Sequence, residues 1–470
     1  MLMMNRVPAA VVMSLSCVLL HPQPARAVSE VLQVPGLGQV WLYAPLQSDP
    51  TEVVLFVSGD GGWNLGVIPM AETLRDHGAL VVGIDIRGFM KTLEASKACA
   101  YPAGVLEELS RTVQLHRKVR EYKAPILVGY SSGATLVYAA LAGAPSETFA
   151  GAISLGFCPD VEISRPLCEQ HGLVATRRTK GIGFDLAPNP HMTDPWMVLQ
   201  GEDDQVCAAA TTQAFVTKVP GARLFSLPKV GHGFAVPRNW EPQYLNAYKA
   251  ISSRHESAAS PAPQADIRDL ALQEVPVAPS ARTDTMAVIL TGDGGWADLD
   301  KSIADGMAAR GIPSVGWSSL RYYWTPRTPE GAAADLTRIA TYYMSEWNVK
   351  RIILVGYSFG ADVLPFLVNR LPAQLTARVR SVALLGPSDT AEFEFHLSDW
   401  VRRGRSSEFH TVAEVQRLRL PVVCVRGADE TDSACRNMAG PHITLRQVGQ
   451  GHHFSGDYAQ LVDVILNTYR

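Results

Sequence analysis

Apolar runs of roughly four to seven residues alternate with amphipathic stretches through most of the chain. The first half carries VVLFV (53–57), ALVVGIDI (79–86), PILVGY (125–130), GAISLGF (151–157), WMVLQG (196–201) and RLFSL (223–227). The second half carries MAVIL (286–290), PSVGW (313–317), RIILVGY (351–357), SVALLG (381–386), PVVCVRG (421–427) and ITLRQVG (443–449). Runs of this length without polar alternation suit strands buried on both faces, as in a parallel sheet flanked by helices. The intervening amphipathic stretches suit crossover helices, so the pattern predicts an α/β fold with a mostly parallel, doubly wound sheet.

Four landmarks occur twice in the same order. Gly59-Asp60-Gly61-Gly62-Trp63 matches Gly292-Asp293-Gly294-Gly295-Trp296, and Gly129-Tyr130-Ser131-Ser132-Gly133 matches Gly356-Tyr357-Ser358-Phe359-Gly360. Further on, Gly201-Glu202-Asp203-Asp204 matches Gly427-Ala428-Asp429-Glu430, and Gly231-His232-Gly233-Phe234 matches Gly451-His452-His453-Phe454. The offsets of 233, 227, 226 and 220 residues are too steady for chance, and a period of this size makes each copy a whole domain. The small, Pro-rich stretch between them reads as a linker. The expected organisation is a leader at 1–27, one α/β domain at 28–254, a linker at 255–282 and a second α/β domain at 283–470. A strand at Leu272–Val277 would open the second sheet.

The chemistry sits at the ends of these runs. GYSFG follows a buried strand and precedes an amphipathic segment, the context of a nucleophile elbow, in which a serine stands at a helix N-terminus. Ser358 is therefore a candidate nucleophile with the Phe359 amide as one oxyanion donor, and Ser131 with Ser132 repeats the arrangement. An acid after a later strand and a histidine at the end complete the order of such a triad. Asp204 and His232 meet this in the first copy; in the second, His452 is the base and Glu430 or Asp432 the acid. Glu430 matches Asp204 counted from the glycine, whereas Asp432 lies nearer Cys435, the counterpart of Cys207, and the reading leans slightly to Asp432. His453 is left for packing or substrate contact. Consecutive glycines after Asp293 can aim amides at a developing oxyanion, so Gly294 and Gly295 are expected to complete the hole. No metal-ligand spacing or phosphate loop stands out, so no cofactor is expected.

Composition and charge narrow the setting. The chain has 470 residues, 42 basic against 45 acidic, which gives no electrostatic footprint for nucleic acid. The N-terminus combines Arg6, an apolar stretch from Val7 to Leu20 and Ala25-Arg26-Ala27, the form of a secretory leader cleaved after residue 27. Cleavage removes Arg6, Arg26 and Cys17, moving the formal charge from −3 to −5 and leaving six cysteines in a chain sent to an oxidising compartment. Cys424 and Cys435 form the expected C-terminal pair. Proximity in sequence favours Cys158–Cys168, which leaves Cys99–Cys207.

LTGDGGWADLDK (290–301), SLRYYWTPRTPE (319–330), GYSFGADVLPF (356–366) and GHHFSGDY (451–458), together with the leader, resemble the AcvB/VirJ family of bacterial virulence proteins. The resemblance implies a periplasmic α/β-hydrolase that cleaves aminoacyl-phosphatidylglycerol, above all the lysyl form, with Ser358 as nucleophile and His452 and an acid as its partners. It also implies an association with virulence and with type IV secretion components. A lysyl ester brings two ammonium groups, for which Asp293, Asp298, Asp300 and Asp362 are candidate contacts; Tyr323 and Trp324 are candidate lipid or headgroup contacts. The competing readings are a non-catalytic periplasmic assembly factor for type IV secretion and a generic esterase or thioesterase.

Overall fold

The computed structural model describes residues 29–45, 49–64, 66–96, 99–258, 267, 269–395 and 408–468. The expected leader with Cys17, and residues 259–266 and 268 of the expected linker, lie outside the described residues.

All twelve apolar runs form strands, and they fall into two separate sheets. The N-terminal sheet contains β1 (Ser29–Val34), β2 (Gly38–Tyr43), β3 (Glu52–Val57), β4 (Ala79–Ile84), β5 (Ile126–Tyr130), β6 (Gly151–Leu155), β7 (Trp196–Gly201) and β8 (Ala222–Leu227), in the order 1-2-4-3-5-6-7-8. Strands β1 and β2 are antiparallel to each other, and β2 is antiparallel to β4; every other pairing is parallel. The C-terminal sheet contains β9 (Leu272–Val275), β10 (Thr285–Leu290), β11 (Ser314–Trp317), β12 (Arg351–Tyr357), β13 (Val379–Leu385), β14 (Val422–Arg426) and β15 (Ile443–Gln447), in the order 9-11-10-12-13-14-15. Only β9 is antiparallel. The second sheet thus repeats the first without its opening strand, and both are doubly wound α/β-hydrolase sheets.

The core explains why these runs read so clearly. Strands β3 and β4 are buried at every position, as is β10, because helices cover both faces. Each sheet separates two apolar layers, one on each face. The N-terminal β1–β2 hairpin went unforeseen because its strands are only partly buried and its turn carries Pro35 and Gly36 with Gly38 directly after it. A small three-stranded excursion between β6 and β7 was also unforeseen, its strands being only two or three residues long.

Among the described residues three disulfides are present: Cys99–Cys168, Cys158–Cys207 and Cys424–Cys435. The C-terminal pair is as expected, whereas the N-terminal pairing of Cys158 with Cys168 and Cys99 with Cys207 is overturned. Cys158 follows β6 and Cys207 follows β7, and these strands are parallel neighbours, so their C-terminal loops lie side by side. Cys99 meets Cys168 because Ala100 pairs with the 166–168 segment, accepting from the Cys168 amide and donating to Pro166. Backbone pairing in space, between sheet strands for one bridge and at an isolated β-bridge for the other, decides both, not distance along the chain.

Candidate active sites

Ser358 stands at the end of β12 and the start of the helix Phe359–Val368, with φ 51° and ψ −117°. A non-glycine residue in this region is strained, and here the sharp turn lifts the side chain clear of the sheet. The Ser358 amide is fixed to the Leu385 carbonyl at 2.8 Å. Its Oγ lies 2.8 Å from His452 Nε2, and His452 Nδ1 lies 2.5 Å from Glu430 Oε1. The other Glu430 oxygen accepts from the Gly427 amide at 2.9 Å. Burial opposes ionisation of Glu430, but the hydrogen bonds from His452 and the Gly427 amide outweigh it and hold the carboxyl below its ordinary range.

Two glycines make room for this relay. Gly386, at φ +59°, leaves space that a Cβ would take from His452, whose Cε1 would lie 2.7 Å from it. Gly292, the first glycine of the repeated Gly-Asp-Gly-Gly-Trp, passes so close that a Cβ would come within 3.4 Å of the Ser358 Cβ. The segment after β10 is thereby laid directly beside the nucleophile. Sequence reasoning missed the role of Gly386, although a glycine ending an apolar run in both copies was the available signal.

The first copy builds the same relay. Ser131 has φ 56° and ψ −124°; its Oγ lies 2.8 Å from His232 Nε2, and His232 Nδ1 lies 2.9 Å from Asp204 Oδ2. Asp204 is buried, and its Oδ1 accepts from the Val206 and Cys207 amides, each at 2.8 Å. Burial again opposes ionisation, and the Cys207 amide, His232 and the Val206 amide overcome it to hold the carboxyl below its ordinary range. Asp204, Cys207 and His232 cluster closely enough to suggest a metal site, but the Cys207 sulfur is taken by its disulfide and the other two bond each other.

A family profile described as bacterial virulence protein (VirJ) matches residues 51–153 and 284–470. The chain belongs to the VirJ family. The VirJ match in the first half ends before Asp204 and His232, while in the second half it takes in the whole relay. A search among curated proteins gave no significant match. Among solved structures, Est1E from Butyrivibrio proteoclasticus shares 14% identity, with 49% of this chain and 99% of that one covered and a TM-score of 0.32. XC6422 from Xanthomonas campestris, described as an a/b serine hydrolase without lid, shares 18% identity over 51% and 98% of the two chains, with a TM-score of 0.32. An alpha-beta serine hydrolase homologue from Coxiella burnetii shares 18% over 49% and 99%, with a TM-score of 0.31.

In this VirJ-family chain the acid of the C-terminal relay is Glu430. Asp432, which the sequence favoured, is exposed and lies beyond the turn that aims Glu430 at His452. Three of the four acidic candidates for substrate contact are used elsewhere. Asp298 pairs with His171 of the N-terminal domain. Asp300, 1% exposed, serves the start of the helix Asp298–Ala308, where its Oδ2 faces the Ala297 amide at 3.5 Å. Asp362 is buried with Oδ1 on the Ser388 amide at 2.6 Å. Tyr323 and Trp324 are buried too: Tyr323 packs on Phe359 and Phe393, and Trp324 packs on Tyr122 and donates to the Val119 carbonyl at 2.8 Å. His453 is exposed, with Nδ1 3.1 Å from the Tyr357 hydroxyl. Asp293 remains half-buried beside the site, and its charge is felt at His453 and Tyr357.

The two domains meet at this mouth. Arg111 of the N-terminal domain, already paired with Glu107, reaches Asp293 at 3.7 Å, and Lys301 donates to the Ser146 carbonyl at 3.0 Å and hydroxyl at 2.8 Å. With the Trp324 and His171 contacts, these place N-terminal side chains against the segment that follows β10 and against the loop after β11.

Burial pushes the Asp300 carboxyl well above its ordinary range, and Oδ1 has no hydrogen-bond partner among the described residues. Between the ordinary carboxyl pKa near 4 and this raised value, the unfolded chain releases a proton that the folded chain keeps, so stability falls as pH rises. Asn cannot ionise but retains an acceptor for the Ala297 amide. Asp300→Asn is therefore expected to stabilise the protein by about 0.5–2 kcal/mol at pH 8 and by less at pH 5, read by urea unfolding at the two pH values. A variant less stable than the parent at pH 8 would contradict the burial argument.

Proposed function

We propose that the C-terminal domain is a serine esterase that hydrolyses the aminoacyl ester of aminoacyl-phosphatidylglycerol, above all the lysyl form, releasing the amino acid and phosphatidylglycerol. The observation that carries the hydrolase reading is the continuous Ser358–His452–Glu430 relay at a strained elbow. Ser358 Oγ attacks the ester carbonyl as His452 Nε2 takes its proton; the same proton then goes to the departing glycerol oxygen. Water, deprotonated by His452, releases the amino acid from Ser358. The Phe359 and Gly294 amides are the donors proposed for the oxyanion, since the Gly292 segment runs beside the nucleophile; the Gly295 amide, expected to join them, instead donates to the Gly292 carbonyl at 3.2 Å.

Membership in the VirJ family and the resemblance of its C-terminal motifs support the lipid substrate. Asp293 supports it chemically, as a carboxylate beside the site that can face an ammonium group. No described helix is long and apolar enough to cross a membrane, and three disulfides suit an oxidising compartment, so the periplasmic face of the inner membrane is the proposed setting. Type IV secretion components are the proposed partners in virulence. Against a purely structural assembly role, a scaffold has no need of an aligned serine, histidine and acid.

The test uses vesicles of phosphatidylglycerol doped with lysyl-phosphatidylglycerol. The full chain is expected to release free lysine and leave the fatty acyl esters intact. Release of fatty acid without lysine would assign a different ester, and release of neither would remove the lipid reading.

A further inference from the structure

We propose that the N-terminal domain is a second, independent serine hydrolase, acting on esters of compact polar acyl groups. The proposal goes beyond the C-terminal reading and does not depend on its substrate. It rests on three features of the first copy. Ser131 occupies the same strained backbone conformation as Ser358, at φ 56° against 51°. The Ser131–His232–Asp204 relay is continuous, at 2.8 Å and 2.9 Å. Asp204 is held by two amides and by Gln200 Nε2 at 3.1 Å, so the carboxylate that orients His232 is itself fixed. A domain kept only for docking gains nothing from a serine in a strained turn, since that conformation costs of order 1–3 kcal/mol. The family match in this half stops at residue 153, so the acid and base are supplied by a part of the chain that the match does not reach.

The residue after the nucleophile separates the two sites. In the C-terminal site it is Phe359, stacked on Phe395 with ring centres 4.5 Å apart and packed on Tyr323 at 5.1 Å, an aromatic cluster directly after the nucleophile. In the N-terminal site it is Ser132, whose hydroxyl donates to the exposed Asp60 carboxylate at 2.8 Å. An apolar chain laid there would strip water from a hydroxyl and a carboxylate with nothing in exchange. A short acyl group bearing an uncharged hydrogen-bond donor would meet a matching partner.

The chemistry balances without a cofactor. Ser131 Oγ bonds to the carbonyl carbon and its proton passes to His232 Nε2; the ester C–O bond then breaks and the alcohol leaves with that proton. A water molecule attacks the acyl-serine, giving its proton to His232, and the acid departs as Ser131 regains its hydrogen.

The experiment uses the full chain as parent, Ser131→Ala, Ser358→Ala and the double variant, with a fluorophosphonate probe mapped by peptide and with p-nitrophenyl acetate and octanoate as substrates. The parent is expected to carry label on both the Ser131 and the Ser358 peptides, and Ser358→Ala to keep the Ser131 label. Ser358→Ala is also expected to hydrolyse acetate at least 100-fold faster than the double variant and at least 10-fold faster than octanoate. Adding His232→Asn to Ser358→Ala should abolish the remaining label while leaving the Ser131 hydroxyl in place. An unlabelled Ser131 in Ser358→Ala, with acetate turnover equal to the double variant, overturns the second site. Labelling with octanoate preferred overturns its substrate class. Failure of the lysyl-phosphatidylglycerol assay alone would leave every one of these readouts unchanged.

Discussion

Lysine release from lysyl-phosphatidylglycerol vesicles is expected to fall by about 10⁴- to 10⁶-fold in Ser358→Ala, the range over which loss of a relay serine is felt elsewhere. The alanine removes the atom that forms the acyl intermediate, and His452 is left facing a methyl group with no proton to take. What survives is transition-state binding by backbone amides, which the substitution does not touch. The fall should appear in kcat far more than in KM, because the hydroxyl contributes little to ground-state binding. The Ser131 label should persist in this variant and report that the chain remains folded. A loss of less than about tenfold on this substrate would move the lipid activity to another residue.

The second large effect belongs to the acid. Glu430→Gln is expected to lower kcat by about 10³- to 10⁴-fold, while Asp432→Asn should remain within about twofold of the parent. The carboxylate lies 2.5 Å from His452 Nδ1 and can only accept, so it fixes the ring with its hydrogen on Nδ1 and leaves Nε2 free to take the serine proton. A glutamine amide can donate at the same place, which puts the ring hydrogen on Nε2 and points it at Ser358. Geometry survives and the proton has nowhere to go. Asp432 is exposed, beyond the turn that carries Glu430. Equal losses in the two variants, measured as kcat on the same vesicles, would reopen the assignment.

Glu430 and Asp432 also show where sequence stops being informative. Both follow the same strand, and the count from the shared glycine pointed to Glu430; weight given to Cys435 pointed the other way. A glutamate reaches one methylene further than Asp204 and is held by an amide upstream of it, Gly427, whereas Asp204 is held by amides downstream, Val206 and Cys207. The two copies therefore carry the same carboxylate on different backbone supports, which position in a motif does not reveal.

The sheets were legible because strands buried on both faces leave an unbroken apolar signature, and the elbow was legible because its glycines and serine are fixed by local backbone geometry. The N-terminal disulfide partners and the acidic substrate contacts were not, since both depend on what lies across a sheet or across a domain boundary, whereas Cys424 and Cys435 had no other partner in their half. Asp298, Asp300 and Asp362 look alike in sequence, yet one pairs with His171, one serves a helix start and one ties down the Ser388 loop. Trp324 looked available for lipid and instead seals the contact with Tyr122.

Asp293 belongs at once to the mouth of the C-terminal site and, through Arg111, to the seam between the domains. Thermodynamic reciprocity follows from that double membership. Whatever free energy a bound cationic ester draws from Asp293 by loosening its hold on Arg111 is taken from the adhesion of the domains, and any event that tightens the seam alters affinity for the ester by the same factor. With the proposed cationic substrate, the N-terminal domain is thus coupled to its neighbour's site through Asp293, alongside the Lys301, Asp298 and Trp324 contacts that also join the two.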